Sequence, residues 1–208
     1  MGVTAIAINC TLKSRSDPPS STDRMIGLLA DELKRHDVHL EETIRIAQHD
    51  ILPGVTSDEG PGDDWPDVRR RILSADILIF GTPIWLGQPS SLAKRVLERM
   101  DAFFGEMDER GRSPAFSKVA VAAIVGNEDG AHHVTAELFQ ALNDVGWTIP
   151  AMAACYWVGE AMHKKDFKEL HPVPKQVCEL AAGVAANAAH LAGLLAGNNY
   201  PGRAPQKS

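Results

Sequence analysis

The chain has 208 residues, 44% hydrophobic and 23% charged, with 21 Lys and Arg against 27 Asp and Glu for a formal net charge of -6. That length supports one domain with a sizeable core, and that charge argues against a nucleic-acid partner, which would demand clustered Lys and Arg. Cys10, Cys155 and Cys178 are scattered without C-x-x-C spacing, which fits a reducing cytoplasm rather than a disulfide framework or a metal site.

In chain order, Val3 to Asn9 is a short apolar strand, followed by the hydroxyl-rich loop Cys10 to Thr22 with Lys13 and Arg15. No basic stretch precedes an apolar one at the start, so no signal peptide is expected. Met25, Leu28, Leu29 and Leu33 mark one helix face, with a cap among Ser20, Ser21 and Thr22. Val38 to Ile46 is a second strand whose interspersed polar residues place it near a sheet edge. Asp50 to Pro66, rich in Gly, Pro and Asp, is long for a connection and is therefore expected to be functional or mobile. A short helix over Asp67 to Ser74 leads to Ile77 to Phe80, a strand with the continuous apolar run of burial on both faces. Gly81 to Ser91 reads as a loop, and Leu92, Val96, Met100 and Phe103 as a helix capped by Ser90 or Ser91.

Lys118 to Val125 is another buried strand, Gly126 to Gly130 a turn, and Val134 to Val145 a helix stopped by Gly146. Trp147 to Ala154 is the expected fifth strand, bulged or at an edge because it contains Pro150. Val173 to Ala196 is an Ala-rich helix, whose apolar tract from Val177 to Leu195 is interrupted by Glu179, Asn187 and His190, which argues against a membrane span. The domain is expected to cover residues 1–197, with 198–208 a loose tail. Five strand–helix alternations predict an α/β fold, a three-layer, doubly wound parallel sheet; of the orders common for such sheets, 2-1-3-4-5 is expected.

Ligands of such sheets sit outside the carboxyl ends of the strands. A phosphate held after the first strand needs helix N-terminal N–H groups, hydroxyls and a cation. Thr11, Lys13, Ser20, Ser21 and Thr22 supply these; the alternative is a solvated loop with an ordinary cap. Neither G-x-x-x-x-G-K-[ST] nor G-x-G-x-x-G occurs there. Hydroxyls in place of glycines point to a mononucleotide such as FMN, and Ile84-Trp85-Leu86 would form an apolar lip over a flat ligand.

Three motifs resemble the NADPH-dependent FMN reductase branch of the flavodoxin-like superfamily. N-C-T-L-K…S-S-T at Asn9 to Thr22 is similar to the family's N-G-S-P-R…S-N-T phosphate loop, with Cys10 in place of Gly. T-P-I-W-L-G-Q-P-S at Thr82 to Ser90 is similar to T-P-[IV]-Y-x-G-x-x-S, with Trp85 in place of Tyr. G-N-E-D-G at Gly126 to Gly130 is similar to the loop bordering the flavin ring. The resemblance implies a flavodoxin-like fold and bound FMN. It also implies that Pro83, Ile84, Trp85, Leu86 and Gly87, with Gly126, Asn127, Glu128 and Gly130, frame the isoalloxazine. The flavin would carry the redox chemistry, with NADPH as hydride donor and a small acceptor such as a quinone. Hydride transfer needs no acid–base side chain, so no catalytic residue is named.

The alternative is a flavodoxin-type electron carrier, whose negative charge suits basic partners. A low-molecular-weight tyrosine phosphatase needs C-x5-R-S, whereas Arg15 follows Cys10 after four residues. Trp65 is expected either to cover a neighbouring subunit's site or to anchor its loop. Tyr156 and Trp157 either line a substrate pocket or belong to the core, and Trp147 belongs to the core. His132-His133 has no third ligand at helical spacing. Lys164-Lys165 is read as a solvated face or a contact to an NADPH phosphate. The Ala-rich last helix and the long acidic loop favour a homodimer.

Overall fold

In the computed structural model, which describes residues 2–14, 18–159 and 164–203, a parallel sheet forms the middle layer. Its strands are β1 (Thr4–Asn9), β2 (His39–Arg45), β3 (Ile77–Trp85), β5 (Val119–Val125) and β6 (Ala154–Trp157), in the order β2-β1-β3-β5-β6. Counting only the parallel strands, this is the expected 2-1-3-4-5. The helices are α1 (Ser21–Lys34), α2 (Trp65–Ile72), α3 (Ser91–Met100), α4 (Ala131–Asp144) and α5 (Lys175–Gly197). Every residue of β5, V-A-V-A-A-I-V, is buried, as a central strand covered on both faces requires.

Two apolar cores sandwich the sheet. One gathers Trp65, Val68, Val96, Met100, Phe103, Leu138 and Trp147 from the α2–α3–α4 side. The other gathers Met25, Leu29, Val184, Ala185 and Ala188 from α1 and α5. The 23 residues of α5 are long and apolar enough, by length and composition, to cross a membrane. One stripe of them, Val177, Ala181, Val184, Ala188, Ala192 and Leu195, is nevertheless buried against the sheet layer. Its three- and four-residue spacing is that of one helix face, and its small side chains permit close packing.

Four expectations change. The stretch after Phe80 is not a loop, because β3 runs on to Trp85, with Thr82 and Pro83 paired to Ile124 and Val125. Leu86 and Gly87 then make a two-residue turn into β4 (Gln88–Pro89), which pairs back antiparallel. The fifth parallel strand is not Trp147 to Ala154 but Ala154–Trp157. Ahead of it only Thr148 bridges β5; Pro150 has no N–H for a ladder, and Met152 adopts a positive φ of 56°.

The 50–66 loop is fastened to α3. Arg99 and Asp63 pair with both side chains fully buried, and Arg99 also donates to the Leu52 and Thr56 carbonyls. Trp65 lies under that guanidinium, fully buried in its own chain's core, so it anchors the loop and covers no neighbour. The segment after α5 also packs: Tyr200 meets Phe116 edge-on and shares a hydrogen bond with Thr148, and the Arg203 N–H donates to the Arg110 carbonyl.

Candidate functional site: a crevice at the carboxyl end of the sheet

The first loop is shaped by a partly buried polar network. Ser20 is the N-cap of α1, its Oγ accepting from the Asp23 N–H at 3.1 Å. Asp23 answers by accepting from the Ser20 N–H at 2.7 Å and the Ser20 hydroxyl at 2.8 Å, a capping box with a carboxylate at its third position. Asn9, the last residue of β1, donates to Asp23 Oδ1 at 2.6 Å and accepts the Thr11 N–H at 2.9 Å. The Ser20 side chain and carbonyl take the amides of Asp23 and Arg24. The amides of Ser21 and Thr22 remain at the first turn, where a helix has no partners of its own for them.

The second loop is tied to the first through Ser90. It caps α3, accepting the Ala93 N–H, and its hydroxyl donates to the Cys10 carbonyl at 2.6 Å. Its own N–H donates to Thr82 Oγ1 at 3.1 Å. The third loop meets the second by close backbone approach. Gly130 has a φ of 129°, and a Cβ there would stand 2.7 Å from Gly87 Cα, so only glycine fits both the conformation and the space. Glu128 completes the join by accepting the Leu86 N–H at 2.9 Å.

These ties leave a crevice of about 350 Å³ lined by Thr11, Lys13, Ser20, Ser21, Thr22, Pro83, Ile84, Trp85, Val125, Gly126, Asn127, Glu128, Trp157, Asp166 and Phe167. Eleven of the fourteen residues singled out from the sequence are on that wall. Leu86, Gly87 and Gly130 are not; the glycines let the two loops touch, and Leu86 stands 90% exposed at the hairpin tip. Ser20 is on the wall, but its proton is committed to Asp23, so it serves the loop's shape rather than offering a donor. Trp85 is half exposed over the crevice.

Four wall residues were missed as binding candidates or left open. Val125 ends β5, and Trp157 ends β6 with its ring 5.6 Å from that of Phe167. Trp157 also walls a neighbouring cavity of about 720 Å³ that includes Tyr156, Lys165 and Leu170. Asp166 accepts from Asn127 Nδ2 at 3.0 Å. Asp166 and Phe167 lie in the long β6–α5 connection, where no local spacing signals a site; only the sheet order carries them to the crevice.

Cys10 does not support phosphatase chemistry. Its side chain belongs to the core, and burial pushes its thiol well above the usual range, whereas a nucleophilic cysteine needs an accessible thiolate. Arg15 lies outside the described residues. His132 pairs with Tyr156 and His133 with Glu137. Among the described residues no group of three or more His, Cys, Asp or Glu gathers at one point.

The profile of the NADPH-dependent FMN reductase family matches residues 3–162. The 8-demethyl-8-aminoriboflavin-5'-phosphate synthase of Streptomyces davaonensis is 30% identical over 96% of this chain and 81% of its own. The divalent metal cation transporter MntH of Mycobacterium bovis is 39% identical over 77% of this chain, which spans only 24% of that relative's length. Among solved structures, RosB with bound 8-demethyl-8-formylriboflavin-5'-phosphate superposes with a TM-score of 0.86 at 30% identity, covering 96% of this chain and 82% of that one. An apo NADH:FMN oxidoreductase, EmoB, superposes with a TM-score of 0.65 at 18% identity, over 92% and 89%, and shows the shared fold. The family match, the sheet order and the crevice agree: this chain belongs to the NADPH-dependent FMN reductase family of flavodoxin-like, flavin-dependent oxidoreductases.

Proposed function

We propose that the crevice holds FMN, that NAD(P)H reduces it, and that a small acceptor such as a quinone reoxidises it. The observation that carries this is the meeting of the hydroxyl loop and the Trp85 and Gly126–Glu128 loops on one wall. The residues fit the group. The Ser21 and Thr22 amides, the Thr11 and Thr22 hydroxyls and Lys13 suit a phosphate dianion. Pro83, Ile84, Trp85 and Trp157 suit a flat ring, and the backbone N–H groups of the Gly126 loop suit its polar edge. When bound, FMN supplies a hydride acceptor that can return two electrons to a second substrate. The protein's part is to bind the phosphate, fix the ring beside Trp85 and leave one ring face open.

The test is spectroscopic. Purified protein, or protein given FMN, is expected to be yellow and to bleach on anaerobic mixing with NADPH. Colourless protein that also refuses FMN would remove the reading; yellow protein that NADPH and NADH both leave unbleached would favour the electron carrier. The likeness to RosB favours one second reading, that a riboflavin phosphate is itself altered in the crevice. Mass analysis of the released flavin after turnover separates the two, since a reductase returns FMN unchanged. The homodimer belongs to the same proposal, and light scattering tests it.

A further inference from the structure

The first loop has an electrostatic conflict built into it. Asp23 gives the loop its shape, since its carboxylate holds the Ser20 N–H, the Ser20 hydroxyl and Asn9. It also sits at the third position of α1, next to Ser21 and Thr22, which line the crevice. Burial favours a neutral Asp23, but the Ser20 and Arg45 hydrogen bonds outweigh it and hold the carboxyl below its ordinary range, so it stays charged. An unbalanced carboxylate there would repel a phosphate dianion. Among the described residues lining the crevice, Lys13 is the one cation.

The last residue of β2 resolves the conflict. Arg45, 6% exposed, donates from one nitrogen to both Asp23 oxygens, at 2.6 and 2.5 Å, and from the other to the Lys13 carbonyl at 3.2 Å. It does not line the crevice. One side chain therefore offsets the capping carboxylate and holds the backbone of Lys13. We propose that Arg45 is a positioning residue that makes this site selective for a 5'-phosphorylated flavin over the unphosphorylated one. The proposal rests on the FMN reading above, and it predicts that the effect of Arg45 appears at the phosphate and not at the ring.

The experiment is fluorescence titration of full-length variants with FMN and with riboflavin. Removing the cation in Arg45→Met is expected to weaken FMN binding about ten-fold while changing riboflavin binding less than about two-fold. Asp23→Asn, which leaves the cation uncompensated, is expected to shift the FMN-to-riboflavin ratio the other way. The double variant should return the ratio towards the parent value, and Arg45→Lys should fall between parent and Arg45→Met because it keeps charge without the fork. Equal loss for both flavins would mean the pair only shapes the loop, and would overturn the proposal. So would an unchanged ratio in both single variants. If Arg45→Met does not fold, the Asp23→Asn and Arg45→Lys ratios still decide. A parent protein that binds neither flavin takes down the FMN reading together with this one, whereas a parent that prefers FMN with an insensitive ratio sinks this one alone.

Discussion

Two loops leave the carboxyl side of the sheet, and each is held by an Arg–Asp pair: the partly buried Arg45–Asp23 in the first, the fully buried Arg99–Asp63 in the 50–66 loop. The pairs look alike and do different work. Every polar contact of Arg99–Asp63 turns inward, to the Leu52 and Thr56 carbonyls and the Leu52, Glu59 and Trp65 N–H groups. That loop is closed on itself over Trp65. Arg45–Asp23 instead supports the cap of α1, whose first-turn residues Ser21 and Thr22 line an open crevice. A buried ion pair alone is therefore no sign of a site; what matters is whether backbone donors are left over once it is made.

The largest expected effect breaks the closed loop. Arg99→Met strands the Asp63 carboxylate without its partner and should lower stability by about 3–5 kcal/mol in urea unfolding, while flavin affinity of the folded fraction stays near that of the parent. Gly130→Ala acts on the open side. Its Cβ would meet the Gly87 backbone at 2.7 Å at a φ of 129°, so a stability loss of about 1–3 kcal/mol is expected. Here, unlike Arg99→Met, flavin affinity should fall with it in a titration.

Acid sharpens the same contrast. Burial alone would raise Asp63, yet Arg99 and three backbone N–H groups hold it at about 2, against an ordinary 3.8. A carboxyl lowered on folding contributes stability that is whole above its unfolded value and disappears as pH falls through the folded one. Melting temperature should accordingly drop between about pH 4 and pH 2, and Asp63→Asn should flatten that limb from a lower starting stability. The smallest effect is expected at the hairpin tip. Leu86 has a φ of 53° and is almost wholly exposed, so Leu86→Gly should change stability by no more than about 1 kcal/mol. A loss above about 2 kcal/mol in thermal unfolding would show that the tip is a packed element.

Much of this was legible before folding. The apolar runs of β1, β3 and β5 announce strands covered on both faces, because an unbroken run of Ile, Val and Ala has no polar side to show water. The helix starts were also legible, as hydroxyls at Ser20 to Thr22 and at Ser90 or Ser91; the structure resolves the caps to Ser20 and Ser90. Less legible was the fifth strand: Trp147 to Ala154 reads as one, and Pro150 with the Met152 turn moves the ladder on to Ala154–Trp157. The length of the 50–66 loop suggests function or mobility; one arginine from α3 fastens it instead.

The sequence by itself determined the fold class and the hydroxyl loop, since each rests on periodicity or on residues near one another in the chain. The tertiary structure alone decided that Trp157, Asp166 and Phe167 share a wall with Thr11 and Trp85, that Ser20 turns its proton inward, and that Arg45 stands behind Asp23. Those partners lie on strands and connections that only hydrogen bonding across the sheet brings side by side, and no spacing along the chain encodes that.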